Sequence, residues 1–337
     1  MARPDVDRPV TPTDRILPPS PNGTVVTVGA FDGVHRGHWT VLQHVCARAA
    51  ESGRRSVLVT FDPHPLRVVR PEAAQPLLTT LPEKKEILAE SGLDVAVILS
   101  FTEELSQYSP ERFVDEVLID RLGMVHLVIG FDHGFGRGRS GDPETLRRIG
   151  ARRGFDVDVV PATHVDDHAV SSSSIRSALR SGDVTTAATG LGRPYALRGT
   201  VVHGEARGRA LGFPTANLHV AEPEKLIPRD GIYAVMASIR GDRTSPSARP
   251  GRPGVLHLGP RPVFPGAPPA IELHLLDFEG DLYGREVQVE FCARIRDVEA
   301  FADVQTLVRA IARDCDVARA LFASGGGACC PASHPLP

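Results

Sequence analysis

The sequence predicts two domains of different class: a doubly wound parallel α/β sheet, then a small antiparallel β-barrel with a closing helix. Three observations carry that expectation. Up to about residue 190, short β-branched apolar runs alternate with helical stretches. Beyond the break at Gly192-Arg193-Pro194, strand-like stretches follow one another with turn residues between them. A last helical stretch runs from about Val298 to Phe322. The 337 residues suffice for two domains. The expected boundaries are a loose leader over 1–22, a first domain over 23–190, a second over 191–323 and a disordered tail over 324–337.

The first strand is Thr24–Val28, a β-branched run with the composition of a buried strand. Gly29 and Gly33 punctuate a turn that also holds Phe31 and Asp32. A helix follows over His35–Ala50, which puts His35 and His38 three apart in its first turn and on one face. Gly37 between them leaves room for close approach. A helix N-terminus concentrates free N–H groups and partial positive charge, so it attracts phosphate. Strand, glycine turn and helix in immediate succession is also how nucleotide-binding α/β units begin. The stretch therefore reads as a nucleoside triphosphate site. Spacing alone leaves two alternatives open, surface histidines or half of a metal site. Neither GxxxxGK[ST] nor GxGxxG occurs.

The alternation continues with strands at Ser56–Phe61, Val95–Phe101, Val125–Ile129 and Asp156–Val160, and with helices at Leu81–Ser91 and from Pro110 to Leu122. The second strand runs into Asp62-Pro63-His64-Pro65, a stiff loop at a strand's carboxyl end, where open α/β sheets bind ligands. Gly130 to Asp142 holds five glycines and two arginines in thirteen residues, either a phosphate cradle or a flexible loop. Ser171 to Ser174 with Arg176 open a helix, or helix pair, that ends at Leu191. One serine serves as an N-cap; four hydroxyls with an arginine make a second anion-binding helix start.

In the second half, strand-like stretches span Tyr195–Val202, Gly231–Ile239, Gly254–Leu258, Ile271–Phe278 and Glu286–Ala293. Gly204, Gly208 and Gly212 bracket Arg207 and Arg209 in a compact phosphate-type loop. Thr215 and Asn217 follow, two residues apart on an extended segment and hence on one side, with hard oxygens that suit Mg²⁺. Glu272 and His274 share one face of a strand whose other face is apolar.

Bulk numbers exclude some classes. Hydrophobic residues make up 42% and charged residues 23%, as in ordinary globular proteins. The net charge of −3 and the lack of a basic aromatic stripe argue against a nucleic-acid reader. No apolar run approaches membrane-spanning length, and the leader lacks the apolar core of a secretory signal. Cys46, Cys292, Cys315, Cys329 and Cys330 form no CxxC pattern, so reduced thiols and a cytoplasmic location are expected.

His35-Arg36-Gly37-His38 resembles the HxGH signature of nucleotidyltransferases, and GAFDGVHRGH is similar to the bacterial FAD synthetase branch, the bifunctional riboflavin kinase/FMN adenylyltransferases. FDPHP at 61–65, SSSSIR at 171–176, GRALGFPTANL at 208–218 and IELHLLDF at 271–278 resemble further signatures of that family. The resemblance runs from about Val25 to Phe322. It implies a nucleotidyltransferase-like first domain and a riboflavin kinase-like barrel. Riboflavin would be phosphorylated by ATP to FMN, and FMN adenylated by a second ATP to FAD and pyrophosphate. It further implies catalytic roles for Glu272, His35 and His38. Nucleotide and phosphate contacts are implied for Gly29, Phe31, Asp32, Gly33, Asp62, His64, Asp132, Ser172, Ser173 and Arg176 in the first site. In the second they fall to Gly204, Arg207, Arg209, Gly212 and Pro214, with Mg²⁺ at Thr215 and Asn217 and flavin at Arg296. The chain departs from the family pattern at His133-Gly134, His257 and Val263. Two alternatives stay open: an enzyme with one live site, and a flavin- or nucleotide-binding regulator without catalysis. Oligomeric state is open as well.

Overall fold

The computed structural model describes residues 20–131, 134–165, 168–204, 207–240, 251–259 and 270–325. The chain divides into two compact units, Met1–Val170 and Ser171–Pro335.

The first unit is built on five parallel strands, β1 (Thr24–Val28), β2 (Arg55–Asp62), β3 (Val95–Ser100), β4 (Met124–Gly130) and β5 (Asp156–Val160), in the order β3-β2-β1-β4-β5. Around them lie α1 (Arg36–Glu51), α2 (Pro65–Val69), α3 (Leu81–Leu88), α4 (Glu103–Ser106), α5 (Pro110–Phe113) and α6 (Pro143–Arg153). A two-residue hairpin, β6 (His164–Val165) with β7 (His168–Ala169), comes last. All five residues of β1 are buried. Val26 and Val28 join a core with Val57, Val59, Leu127 and Ile129 on one face of the sheet. Val25 joins another core with Trp39, Leu42, Val45 and Val128 on the opposite face. Burial on both faces explains why the strand is apolar without alternation. From β1 the chain moves outward to β2 and β3, then returns to β4 on the other side. The switch point thus falls at the carboxyl ends of β1 and β4, where such sheets bind ligands.

The second unit begins with α7 (Ser172–Ser181) and α8 (Val184–Leu191). Its barrel is closed in the order β10-β11-β12-β9-β8-β13, from β8 (Tyr195–Val202), β9 (Ala216–His219), β10 (Gly231–Ile239), β11 (Arg252–Gly259), β12 (Ala270–Leu275) and β13 (Glu286–Arg296). All its strand pairs are antiparallel. The short α9 (Arg207–Ala210) lies between β8 and β9, and α10 (Val304–Ala323) closes the unit. α8 packs on β8 and β13, and the compact division falls before α7.

Several elements depart from expectation for local reasons. The helix expected from Pro110 to Leu122 is α5 running into a π-helical turn over Val114–Ile119. That wider turn accompanies burial of Phe113, Val114, Val117 and Leu118 in one core. β12 stops at Leu275, because Leu276 N–H donates to Pro253 O and Asp277 takes a φ of 52°. α10 starts at Val304, where Asp303 accepts from the Thr306 N–H as N-cap. Cys46 and Cys315 are free thiols, but Cys292 is disulfide-bonded, which corrects the expectation of reduced thiols throughout. Among the described residues, no helix is long and apolar enough to cross a membrane.

Candidate active sites

In the first unit the expected triphosphate site is the turn that leaves β1. His35 is the N-cap of α1, one residue outside the helix, and its Nδ1 accepts from the His38 N–H. A neutral His35 ring that accepts at Nδ1 carries its proton on Nε2. The two imidazoles stack with centroids 3.7 Å apart and planes 16° from parallel. Phe31 packs on His38 at 4.6 Å. What comes close to Gly37 is His35 itself: a Cβ at Gly37 would lie 3.2 Å from the ring atoms Cε1 and Nδ1. A Cβ at Gly29 would lie 2.9 Å from the Phe31 ring. Trp39, the sole tryptophan of the chain, follows His38 directly and is buried in the core behind it.

Asp32 is 3% exposed and turned inward. Its carboxylate accepts from the backbone N–H groups of Leu78 and Thr79 and from the Thr79 hydroxyl, while Gly33 N–H donates to Thr79 Oγ1. Asp32 and Gly33 therefore fix the turn to the segment before α3. Asp62 ends β2, and His64 Nδ1 caps α2 by accepting from Leu66 N–H. Asp132 lies outside the described residues, as do the leader to residue 19, the tail from residue 326 and the 260–264 part of the departing barrel segment.

The far end of α1 is tied down by charge. Asp158 on β5 accepts from Arg48 at 2.7 Å and pairs with His44 at 3.2 Å. His126 Nε2 on β4 lies 3.0 Å from the same oxygen. Burial pushes the Asp158 carboxyl up, but Arg48, His44 and His126 together outweigh it and hold the group at about 2.

The serine cluster opens α7, in the second unit. Ser171 and Ser174 form a reciprocal capping box. That accounts for two of the four hydroxyls and leaves Ser172 and Ser173, the pair singled out above, at the first two helical positions. Arg176 is buried.

The barrel assembles its expected residues tightly. Glu272 on β12 pairs directly with Asn217 on β9. The glycine loop leans on the same strand: a Cβ at Gly204 would clash with the Asn217 amide, and one at Gly208 with Phe213 O and, at 2.9 Å, Thr215 Oγ1. Gly212 has a φ of 85°, a left-handed turn that favours glycine. Arg209 is exposed, and the Arg207 side chain is outside what the structure describes. His274 donates from Nδ1 to the Pro214 carbonyl at 2.8 Å. It extends the β9–β12 pairing with a side-chain bond where the backbone ladder has ended. Sequence reasoning gave His274 no role; the signal was its place two residues after Glu272, on the same strand face.

A cavity of about 550 Å³ is lined by Gly204, Asn217, His219, Lys225 and Ile271. Another, of about 640 Å³, is lined by Pro214, His274, Asp277, Cys315 and Arg319. Burial pushes the Cys315 thiol up to about 11, so it is no nucleophile near neutrality. Arg296 grips Asp314 of α10 with two bonds, at 2.9 and 2.7 Å, and Asp297 O with a third. Its guanidinium joins β13 to the closing helix.

Fold and sites together define a two-unit, ATP-dependent transferase: an α/β unit with stacked HxGH histidines at its switch point, and a barrel with a carboxylate beside a Thr-x-Asn oxygen pair. The comparisons agree for each half. The FAD synthetase family model matches residues 17–174 and the riboflavin kinase model residues 191–322. The bifunctional riboflavin kinase/FMN adenylyltransferase of Pseudomonas fluorescens is 39% identical over 91% of this chain and 96% of its own length. That of Escherichia coli K12 is 36% identical over 89% and 93%. The chain belongs to the bifunctional riboflavin kinase/FMN adenylyltransferase family. The crystal structure of a macrolide-efflux protein from Streptococcus pneumoniae has the same fold, with a TM-score of 0.81 and 29% identity over 94% of this chain and 99% of that one.

Proposed function

We propose that the two reactions divide between the two constellations, with phosphoryl transfer at the β9–β12 pair and adenylyl transfer at the β1–α1 turn. The chain is an enzyme of flavin cofactor synthesis, which phosphorylates riboflavin to FMN with ATP and joins FMN to AMP from a second ATP, giving FAD and pyrophosphate.

In the barrel, Glu272 takes the proton of the ribityl hydroxyl as its oxygen forms a bond to the γ-phosphorus and the bond to ADP breaks. The glycine loop around Gly204, Gly208 and Gly212, with Arg207 and Arg209, holds the nucleotide on the Asn217 side. Riboflavin enters from the cavity bounded by Pro214, His274 and α10. Both reactions use ATP with a divalent metal. The donors present fit Mg²⁺ carried by phosphate: Thr215 Oγ1 and Asn217 Oδ1 are neutral hard oxygens, and among the described residues no cluster of three acidic, histidine or cysteine side chains offers an all-protein cage. When bound, the ion offsets phosphate charge.

At the β1–α1 turn an FMN phosphate oxygen bonds to the α-phosphorus and pyrophosphate leaves. The attacking phosphate is already ionised, so no base is required, and the work is positioning and charge stabilisation. His35 and His38 supply it at the start of α1; in the second unit, the start of α7 with Ser172, Ser173 and Arg176 is a phosphate-binding place of its own. A cytoplasmic location follows from the demand for ATP.

The observation that carries this reading is the direct pairing of Glu272 with Asn217. Chromatography of products from riboflavin, ATP and Mg²⁺ tests it, with FMN expected first and FAD after it. FMN without FAD, also when FMN is supplied, would show a single live site. Binding of both substrates without turnover would show a regulator.

A further inference from the structure

Lys84 sits in the first turn of α3, held there by a capping box in which Thr80 N–H donates to Glu83 and Glu83 N–H to the Thr80 hydroxyl. It is only 6% exposed, unusual for a lysine. Its ammonium donates to the Ala30 carbonyl at 2.7 Å. The Thr60 hydroxyl donates to the same oxygen at 3.1 Å, so α3 and β2 both grip that peptide. Ala30 opens the turn that leads to His35. In that turn Phe31 has a φ of 48° and Val34 a φ of 38°, the left-handed region that bulky and β-branched residues avoid. Each is strained and persists only where the surroundings over-determine it.

We propose that Lys84 is a positioning residue for adenylyl transfer: its ammonium anchors the strained exit turn of β1 and thereby sets His35 and His38. The anchor is two-pronged. Lys84 holds the start of the turn through Ala30, and Thr79, five residues earlier, holds its middle through Asp32 and Gly33. One segment, 78–84, therefore grips the turn twice. Thr60 already gives the Ala30 carbonyl a neutral donor, and burying an ammonium is costly unless charge is matched. The charge has its match: Asp32 in the turn and Asp62 at the end of β2 both act on Lys84 electrostatically. Burial pushes the ammonium's pKa down, and Asp32 and then Asp62 pull it back. The ammonium thus draws turn, β2 and α3 together.

The inference rests on assigning adenylyl transfer to this turn. Its test uses full-length Lys84→Met, which removes donor and charge, and Lys84→Gln, which keeps an N–H donor. FAD formation from FMN and FMN formation from riboflavin are measured separately. A displaced turn is expected to lower kcat for FAD formation on the order of 100-fold in Lys84→Met. KM for ATP and FMN should stay within about threefold, since Lys84 binds neither. Lys84→Gln is expected to lose only about tenfold in kcat, because the donor survives without the charge. Riboflavin phosphorylation should keep its wild-type kcat/KM in both. Wild-type kcat for FAD formation in Lys84→Met, or equal losses of both activities, overturns the proposal. Should Lys84→Met fail to fold, wild-type kcat in Lys84→Gln overturns it. Failure of the wild type to make FAD from FMN would instead refute the assignment of the site.

Discussion

The two loops proposed to bind phosphate are held in opposite ways. The turn after β1 is held by what its side chains reach: Asp32 to Leu78 and Thr79, and Ala30 to Thr60 and Lys84. The loop before β9 is held by side chains that are missing, with Gly204 and Gly208 letting the backbone rest on Asn217 and Thr215. The first arrangement tolerates two strained non-glycine residues because buried polar anchors over-determine it. In the second, Gly204 and Gly208 have no room for a methyl group. The first should therefore fail when a group is removed, the second when one is added.

The sharpest break is a reciprocal pair. Glu272→Ala should lower riboflavin phosphorylation by about 10²–10⁴-fold, the range for a lost general base, and leave FAD synthesis from supplied FMN intact. His38→Ala should do the converse. Steady-state assays of each half-reaction decide it, and parallel loss of both activities in either variant contradicts separate sites.

Gly204→Ala tests the missing-side-chain arrangement. The added carbon displaces the Asn217 amide, and a displacement near 1 Å at a reacting centre costs roughly 100-fold. Kinase kcat/KM should fall by that order with the adenylyltransferase unchanged. A fully active Gly204→Ala would mean that the loop yields freely.

A smaller effect is expected at His274. Asn places its amide N–H near the position of Nδ1, whereas Gln reaches past it. His274→Gln should lose the bond to Pro214, worth about 1 kcal/mol or roughly fivefold in kinase rate, and His274→Asn should restore most of it. Equal rates in the two variants would remove the bond from the argument.

The smallest effect concerns acid. The Asp158 carboxyl lies below its unfolded value of 3.8, at about 2 in the folded state. Its contribution to stability is therefore full above the unfolded value and is lost as pH falls toward 2. Thermal melts of wild type and Asp158→Asn should differ above that window and converge within it. Because Asp158 ties down α1, the helix that carries the histidines, FAD synthesis should be the more acid-labile activity.

Much of this was legible in the sequence because it is local. β1, the glycine turn and the histidine spacing are contiguous, and β1, β5, β8 and β10 have the bounds that the apolar runs give. Four serines suggested an anion site, and only the structure shows that Ser171 and Ser174 form the capping box. β9 is four residues long and follows a proline, too short for a periodic signal. Long-range partners were not legible. Asp32 meets Thr79 across 47 positions and Ala30 meets Lys84 across 54, and neither lysine nor threonine in a helix start signals what it touches. The resemblance implied a flavin contact for Arg296; that its carboxylate partner arrives from α10 was not legible in the sequence.

The lone indole has a practical consequence. Trp39 lies directly after His38, in the first unit, and the barrel has no tryptophan. Light that excites indole selectively therefore illuminates one half of the chain. Emission should report the state of the adenylyl-transfer half while the kinase half stays dark, so the unfolding of that half can be followed in the intact chain without attaching a label.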